Sequence, residues 1–551
     1  MRTRKEFVIG IDAGTGSVRA GIFDLNGAMR GYGVAPINTW HPRPDFVEQS
    51  SENIWQSAGQ AIRAAVKNAG LKEEDIKGIS FDATCSLVTL DSNNKPITVS
   101  PTGRHEQNII VWMDHRAKTE TDFINNTGHP VLKYVGNKMS PEQEPPKLLW
   151  LKKNLKNTWR KVGIFLDLAD YLTYRASGAD IRSLCTVVCK WGYLGHKGQH
   201  GNWDKSFYSQ IGMPELLTQN KIGNTIRPMG TPMGNLTKRS ALELGLSPET
   251  VVGLGIIDAH AGGIGVAGIP LARRRDLRLD NILSMIAGTS TCHMVVSKNP
   301  IFVRGIWGPY FGAMIPGMWL TEGGQSATGS LIDFILQTNS LYNETNLQAK
   351  KHNLSLVEYL NRHLDTLLAK GKYLTGELNI LPYFHGNRSP RANPNARGCI
   401  SGLTLNNNLD AYAALYLAAI QSIAYGTRHI IEEMNHHGHR VKAIAACGGL
   451  SKNRYVLQEH ANIIGCEIYL PKEEEAVLLG TAILAACALG RFASIQDAIM
   501  KMSAVKTVIK PNKSYALYHQ KKYQVFKQMY RNQLAYNKLT DIENYAPGRH
   551  G

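Results

Sequence analysis

The 551-residue sequence lacks paired cysteines, long uninterrupted apolar runs and basic stretches mixed with aromatic residues. Its eight cysteines include no C-x-x-C pair, which argues against a zinc site or a disulfide framework and favours reduced, packed thiols. The most apolar window, 251–270, contains Asp258, His260 and six glycines, which argues against a membrane span. The densest basic run, 273–278, contains no aromatic residue, which argues against a platform for single-stranded nucleic acid.

What is present is typical of a large globular protein. Hydrophobic residues make up 43% of the chain and charged residues 19%, and the length predicts two large domains. Lys and Arg outnumber Asp and Glu by 62 to 44, and the net charge of +18 attracts anions such as nucleotides and sugar phosphates. The first residues, MRTRKEFVIG, run straight into a predicted strand, so we expect no signal peptide and a cytoplasmic location.

The first residues of the chain combine a strand, an acid and a glycine turn. An apolar run, Phe7–Ile11, ends in Asp12, and the small-residue turn 13–17 leads into a second strand, Val18–Asp24. The pair Asn26-Gly27 then predicts a hairpin to a third strand. The segment is an ordinary β-hairpin or a loop that binds a metal-bound phosphate.

The phosphate interpretation depends on the chemistry of the turn. Gly14 and Gly16 let backbone N–H groups approach phosphate oxygens, and Thr15 and Ser17 add hydroxyl donors. Asp12 can hold Mg²⁺ through water. The turn opens onto a strand and not onto a helix, so it matches neither of the common glycine-rich nucleotide motifs.

The same pattern returns in the second half of the chain. Strand-like runs Ile282–Ile286 and His293–Ser297 flank the turn 287–291, whose Ala-Gly-Thr start repeats that of the first turn. Such a match arises either by chance or from two related domains whose glycine turns face each other. The glycine-rich segment Gly253–Gly268 between them is the predicted hinge.

A third glycine pair follows a strand near the end of the second half. The predicted strand Val441–Ala446 leads through 447–451 into a helix, Asn453–Ile464, and a strand–Gly-Gly–helix element suits an anion or a nucleotide base edge. A long helix is predicted at Leu409–His436, and a terminal helix is predicted within 506–537.

Taken together, these motifs resemble the sugar-kinase and actin-like ATPase superfamily, and within it the FGGY carbohydrate kinases. DAGTGSVRAGIFD is similar to the first phosphate motif of that family, IAGTSTCHM to the second, and the stretch from CGGLSKNRYVL to LLGTAILAA to its adenosine segment. Two signature regions depart from the family pattern, with Glu144 in place of a small residue or Pro and with extra residues in 398–421. The resemblance implies an α/β fold with two actin-like ATPase (ribonuclease H-like) domains flanking a catalytic cleft, at residues 1–263 and 264–505, followed by a helical extension, 506–551.

The segment 82–87, DATCSL, resembles the ribulokinase branch, in the form found in D-ribulose kinases. The resemblance implies sugar-binding roles for Thr84, Cys85, Asp114, Lys190, Asp258 and Glu322. Asp258 would be the catalytic base, the alternative being a cap on the helix that follows it. Asp114 either meets the sugar or pairs with Arg116, and His260 is expected to be a packed neighbour of Asp258.

The resemblance also implies ATP and Mg²⁺ as cofactors. The expected ATP-binding residues are Gly14, Thr15, Gly16, Ser17, Gly288, Thr289, Ser290, Gly448, Gly449, Asn453 and Ala476, with Asp12 holding Mg²⁺ through water. The implied reaction transfers the γ-phosphoryl group of ATP to the 5-hydroxyl of a ketopentose, with D-ribulose expected and L-ribulose or D-xylulose as alternatives. A non-catalytic actin-like ATP-binding switch is the alternative of a different class. The expected partners are the sugar and ATP, without nucleic acid or membrane, and a homodimer stays open.

Overall fold

The computed structural model describes residues 6–198, 201–371 and 373–540. Among the helices in these ranges, none combines the length and the hydropathy that a membrane span requires.

The strands of the N-terminal half are β1 (Phe7–Ala13), β2 (Ser17–Asp24), β3 (Met29–Pro36), β4 (Thr39–Trp40), β5 (Glu48–Gln49), β6 (Ile76–Ala83), β7 (Leu87–Asp91), β8 (Ile109–Ile110), β9 (Val162–Asp167), β10 (Arg182–Ser183), β11 (Ile226–Arg227), β12 (Pro232–Asn235) and β13 (Val251–Ile257). Its helices are α1 (Ser51–Ala69), α2 (Lys118–Asn126), α3 (Glu144–Asn154), α4 (Lys156–Lys161), α5 (Leu168–Ser177), α6 (Leu184–Lys190), α7 (Lys205–Gln210), α8 (Glu215–Thr218), α9 (Lys238–Leu244) and α10 (Asp258–Ala267).

The N-terminal sheet has the strand order β12-β13-β6-β1-β2-β3. The predicted hairpins are confirmed, because β1 pairs antiparallel with β2 and β2 with β3, and Gly27 adopts the positive φ of 81° that the second turn requires. Strands β1, β6 and β13 run parallel. Helix α1 packs on β2 and β3, and the side chain of Ser50 caps its first turn.

The C-terminal half contains the strands β14 (Ile282–Ala287), β15 (Thr291–Ser297), β16 (Trp307–Phe311), β17 (Trp319–Gln325), β18 (Asn379–Leu381), β19 (Cys399–Ser401), β20 (Ala443–Cys447), β21 (Glu467–Pro471) and β22 (Val505–Ile509). Its helices are α11 (Gly329–Gln337), α12 (Tyr342–Lys351), α13 (Leu356–Leu368), α14 (Leu409–His436), α15 (Arg454–Ile464), α16 (Ala476–Ala488), α17 (Ile495–Met502) and α18 (Ala516–Leu539). The sheet order is β16-β17-β15-β14-β20-β21-β22. The run β21-β20-β14-β15-β17 therefore repeats the run β13-β6-β1-β2-β3, with the same parallel and antiparallel pairings, and the predicted domain repeat is confirmed.

Two helices, α10 and α16, lie between the two sheets. Helix α10 leaves β13 and packs on β14, whereas α16 comes from the C-terminal half and packs on β1, β6 and β13. The two helices cross at very short range, because a Cβ on Gly480 would lie 1.8 Å from the carbonyl oxygen of Ala261, and one on Gly265 would lie 2.0 Å from that of Ala476. The segment Gly253–Gly268, predicted as a hinge, forms most of β13 and all of α10 with its C-cap Gly268, and several of its glycines permit close packing.

Smaller differences concern where elements begin. Helix α3 begins at Glu144, and Pro145 and Pro146 occupy its first turn, where no amide hydrogen bond is lost. The proposed domain boundary at 263 falls inside α10. The boundary at 505 falls at the first residue of β22, which pairs with β21 and extends the C-terminal sheet. Residues 541–551 of the proposed extension lie outside the described ranges.

Candidate active site

Three aspartates lie at the carboxyl ends of adjacent parallel strands. Asp12 is opposite Asp82 in the register of β1 and β6, and Asp258 directly follows β13, the other neighbour of β6. Ligands of open α/β sheets bind outside this edge, so the strand order itself places three carboxylates there. Asp12 and Asp82 are buried, whereas Asp258 is partly exposed.

The aspartates have unusual protonation properties. Burial and then the charge of Asp12 raise the pKa of Asp82 well above the usual range, and the same two causes raise the pKa of Asp258 to about 7. Thr481 of α16 donates to Asp82 Oδ2, whereas the buried Asp82 Oδ1 has no hydrogen-bond partner among the described residues. A buried carboxylate oxygen without a donor, beside a second carboxylate, fits a divalent cation with oxygen ligands, so Asp12 and Asp82 suit Mg²⁺.

An arginine connects this edge to the second half of the chain. Arg19 of β2 lies opposite Asp12 in the register, and its Nε donates to Asp12 Oδ2 at 2.8 Å. Its Nη1 donates to Glu475 Oε2 at 2.8 Å, just before α16. Arg19 therefore links the first phosphate motif to the adenosine segment.

In both glycine turns the amide of the first glycine donates to a carbonyl two or three residues further on. The amide of Gly14 donates to the carbonyl of Ser17 at 3.0 Å, and the amide of Gly288 donates to that of Ser290 at 2.8 Å. A Cβ on Gly16 would meet no atom within 4 Å, so this side of the first turn is open. Both turns thus present backbone amides and hydroxyls at the ends of equivalent strands.

Each turn is also held by its surroundings. Trp112 Nε1 donates to Thr15 Oγ1 at 3.1 Å, so the hydroxyl hydrogen of Thr15 remains free to donate. In the second turn the amide of Thr328 donates to the carbonyl of Thr289 at 3.0 Å, and that of Gly329 to the carbonyl of Gly288 at 3.1 Å. The second turn therefore lies against the N-terminus of α11, the end of a helix that favours anions.

The pair Gly448-Gly449 lies against the end of β14. Gly448 has a φ of 96°, and a Cβ there would lie 2.4 Å from the carbonyl oxygen of Ala287, so only glycine fits. A Cβ on Gly449 would meet nothing within 4 Å. Gly449 therefore offers an open surface next to the second phosphate turn.

The other two candidate nucleotide residues have structural contacts. Asn453 caps α15 by accepting from the amide of Tyr455 at 3.1 Å, and its Nδ2 donates to the hydroxyl of Tyr416 at 2.6 Å. Ala476 is buried, and its carbonyl packs against Gly265 of α10. Asn453 can still border a nucleotide through its backbone, whereas the buried side chain of Ala476 packs against the protein.

Two of the candidate sugar residues, Lys190 and Glu322, lie beside Trp307 of β16. Lys190 Nζ lies 4.7 Å from the ring centroid of Trp307, and the guanidinium of Arg388 lies 3.8 Å from it. Arg388 Nη2 also donates to Glu322 Oε1 at 2.9 Å. Burial opposes the charge of Lys190, yet neighbouring acidic groups, including Glu322, raise its pKa. This side of the site thus combines two cations with one anion.

Two further candidates lie just after β6. The amide of Thr84 donates to the carbonyl of Ala13 at 3.1 Å, and its hydroxyl pairs with that of Ser86 at 3.0 Å. Burial raises the pKa of Cys85 to about 12, so its thiol stays protonated at neutral pH. Both are neutral hydrogen-bonding groups close to the edge formed by Asp12.

Asp114 does not have a carboxylate available for a sugar. Arg116 donates to both of its oxygens, with Nη2 at 2.7 Å from Oδ2, and the amide of Val47 donates to Oδ2 at 2.7 Å. Arg116 also donates to Glu48, and all three side chains are fully buried. The structure therefore favours the pairing alternative over the sugar-binding role predicted for Asp114, because the buried arginine occupies the carboxylate.

Asp82, Arg19 and Arg388 were missed as candidates, and His260 was expected only to be a packed neighbour of Asp258. The first two had a usable signal, since Asp82 begins the DATCSL motif and Arg19 lies inside the first phosphate motif. The other two reach Glu322 from 66 and 62 residues away in the sequence. No local pattern identifies such contacts.

The chain matches two family models in sequence. The N-terminal model of the FGGY family of carbohydrate kinases matches residues 7–265, and the C-terminal model matches residues 283–489. The chain belongs to the FGGY family of carbohydrate kinases. It is an ATP-dependent sugar kinase, and the resemblance seen in the sequence motifs is confirmed.

Similar proteins extend along most of this FGGY kinase. The Homo sapiens FGGY carbohydrate kinase domain-containing protein is 46% identical over 543 residues and covers 97% of the chain and 97% of its own length. A D-ribulokinase of Saccharomyces cerevisiae is 41% identical over 513 residues, which cover 88% of the chain and 72% of the yeast protein.

Solved structures support the fold. A gluconate kinase from Lactobacillus acidophilus superposes with a TM-score of 0.80 at 22% identity, over 98% of this chain and 100% of that one. A ligand-bound xylulose kinase from the same organism gives a TM-score of 0.79 at 21% identity, over 98% and 100% of the two chains. The expected fold, two actin-like domains flanking a cleft, is confirmed.

Proposed function

We propose that this FGGY kinase transfers the γ-phosphoryl group of ATP to the 5-hydroxyl of a ketopentose, and that the ketopentose is D-ribulose. The observation that supports it most is the position of Asp258, at the strand edge that Asp12 shares. The choice of sugar rests on the DATCSL segment and on the similarity to the yeast protein named as a D-ribulokinase. L-ribulose and D-xylulose, which differ from D-ribulose at stereocentres, are the alternatives.

In the proposed reaction Asp258 is the base. The amide of Ala259 donates to Asp258 Oδ1 at 2.6 Å, which orients the carboxylate and leaves Oδ2 to accept a proton. The sugar oxygen O5 attacks the γ-phosphorus, its proton passes to Asp258, and the bond from the γ-phosphorus to the β-bridging oxygen breaks to release ADP. A pKa of about 7 suits this role, because the group is partly ionised at neutral pH.

The two glycine turns would bind the phosphates of ATP from opposite domains. The amide of Gly16 and the hydroxyl of Thr15 would meet the transferred group, whereas the amide of Gly14 is used inside the turn. The turn at 288–290 would meet the β- and γ-phosphates beside the positive end of α11. Bound Mg²⁺, held by Asp12 through water with Asp82 beside it, would neutralise charge on the phosphate oxygens.

The sugar would lie between the acidic edge and the Trp307 cluster. Lys190 and Glu322 offer a donor and an acceptor of opposite charge, and Thr84 and Cys85 offer neutral groups. A site built from such groups discriminates among sugars, because a wrong stereocentre leaves a buried polar group without a partner. Asp114 is not part of this proposed set.

The test is sugar-dependent release of ADP, measured with a coupled assay and Mg²⁺ over a panel of ketopentoses, aldopentoses and polyols. We expect D-ribulose to give the highest kcat/KM and sugar-free ATP hydrolysis to be slow, since closure around the sugar excludes water. A kcat/KM for L-ribulose or D-xylulose above that for D-ribulose would show that D-ribulose is not the preferred substrate. Release of ADP that no sugar stimulates would favour the ATP-binding switch.

A further inference from the structure

Three buried side chains from separate elements form a hydrogen-bonded chain that ends at Glu322. Cys185 of α6 lies with its Sγ 3.0 Å from His260 Nδ1 of α10. The other ring nitrogen, Nε2, lies 3.2 Å from Glu322 Oε2 of β17. All three side chains are almost fully buried, and α6 ends at Lys190, another candidate sugar residue.

The direction of these hydrogen bonds follows from elementary chemistry. An ionised carboxylate only accepts, so His260 Nε2 must hold a hydrogen that it donates to Glu322. Nδ1 then either accepts from the Cys185 thiol or, as part of an imidazolium, donates to the thiolate. In both cases Nε2 keeps the hydrogen that it donates to Glu322. Cys185 therefore fixes the orientation of the imidazole ring whether the ring is neutral or protonated.

Glu322 is ionised throughout the physiological range. Burial would raise its pKa, but the hydrogen bond from His260 and the charge of Arg388 outweigh burial and lower the pKa to about 2. Arg388 donates to Oε1 at 2.9 Å and His260 to Oε2. Each carboxylate oxygen therefore has one fixed donor and keeps acceptor capacity for another.

We propose that His260 is the positioning residue of the sugar site: it orients the Glu322 carboxylate toward a polyhydroxylated substrate and is itself oriented by Cys185. This inference rests on the proposed function, because it requires Glu322 to accept a hydrogen bond from a hydroxyl of the sugar. His260 acts through Glu322 and does not touch the substrate. The consequence is that His260 sets sugar affinity more than the rate of transfer.

The same region offers one competing arrangement. The ligand atoms of Cys185, Cys189 and His260 all lie within 4.8 Å of one another, a donor set that would suit zinc. The hydrogen-bonded chain is favoured, because Cys185 Sγ and His260 Nδ1 lie only 3.0 Å apart, whereas a sulfur and a nitrogen bound to one tetrahedral zinc ion lie about 3.5 Å apart. Metal content is therefore an outcome of the test.

The decisive experiment compares two amides at position 260. The side-chain nitrogen of glutamine reaches the place of Nε2, whereas that of asparagine reaches only the place of Nδ1. His260→Gln should keep the sugar KM within about threefold of the wild type, and His260→Asn should raise it about 10- to 100-fold, the value of a buried hydrogen bond to a charged group. We expect kcat and the KM for ATP to stay within about threefold of the wild type in both variants. The contact that is weakened, between Glu322 and a sugar hydroxyl, binds the sugar equally in the ground state and in the transition state.

A second pair of variants, with a control, tests the Cys185 end of the hydrogen-bonded chain. Cys185→Ala should raise the sugar KM, and Cys185→Ser should restore it, because a hydroxyl can replace the thiol as partner of Nδ1. Cys466→Ala truncates a cysteine between α15 and β21, outside this hydrogen-bonded chain, and should leave the sugar KM unchanged. If His260→Asn does not fold, the sugar KM values of Cys185→Ala and Cys185→Ser decide whether the inference holds.

Three results would overturn the inference. An unchanged sugar KM in His260→Asn would show that Glu322 needs no orientation. Stoichiometric zinc in the purified protein, lost on chelation together with sugar affinity, would replace the hydrogen-bonded chain by a metal site. A wild type without sugar-stimulated ADP release would overturn the proposed function and this inference together, whereas an active wild type with unmoved variants overturns the inference alone.

Discussion

The crossing of α10 and α16 gives a prediction whose size follows from the structure. A Cβ at position 480 would lie 1.8 Å from the carbonyl oxygen of Ala261, and a real contact of this kind needs more than 3.0 Å. Gly480→Ala must therefore move one backbone by more than 1 Å, and both elements at the contact are rigid helices. We expect overpacking to cost about 3 kcal/mol, at the upper end of the usual range.

Helix propensity works in the opposite direction in this variant. Alanine favours a helix over glycine by about 1 kcal/mol, so the net destabilisation should be about 2 kcal/mol. In a protein with domains of this size that corresponds to a fall in Tm of roughly 4–8 °C. Because α10 begins with Asp258, we also expect a lower kcat/KM for the sugar.

The assay is thermal unfolding followed by circular dichroism, with ADP release measured on the same preparations. Gly376→Ala is the matched control, because the nearest atom to its added Cβ would lie 3.8 Å away and nothing has to move. A Tm for Gly480→Ala equal to or above that of Gly376→Ala would refute the claim that this crossing is closely packed.

Three further predictions follow from the site. Burial and the charge of Asp12 raise the pKa of Asp258 to about 7 in the free enzyme, and its ionised form is the base, so kcat/KM measured with sub-saturating sugar and ATP should rise with pH through about 7. A flat profile from pH 5.5 to 8.5 would contradict this. Asp114→Asn removes one of the two carboxylates that pair with the buried Arg116 and, because Glu48 stays in place, should lower the free energy of unfolding by about 1.5–3 kcal/mol in urea titrations. A change in sugar KM without loss of stability would return Asp114 to the sugar site. Arg19→Gln should raise the KM for ATP, and unchanged ATP kinetics would argue against a role for its contact with Glu475.

Local signals predicted the elements of the fold well. The helix Leu409–His436 has the predicted bounds, because apolar periodicity and capping are properties of neighbouring residues. The segment Gly253–Gly268 shows the limit of such signals. A series of glycines permits flexibility or close helix packing equally, and only the position of α16 decides between the two.

The candidate site divides in the same way. Asp12 and Asp258 follow apolar runs, and the family resemblance assigned their roles before the structure placed them at one sheet edge. The partners of Glu322 come from α10 and from the loop that contains Arg388, more than 60 residues away in the chain, so only the tertiary fold brings them together. Asp114 was ambiguous in sequence because its neighbour Arg116 could face either way.

The central claim is that Asp258 is the base of a sugar kinase, and one measurement tests it directly. Sugar-dependent ADP release should fall by about 10²- to 10⁴-fold in Asp258→Asn, because asparagine cannot accept the proton of the 5-hydroxyl. ATP binding, followed by titration of the same variant, should be unchanged, since the phosphate turns stay intact. Turnover within a few-fold of the wild type would contradict the account.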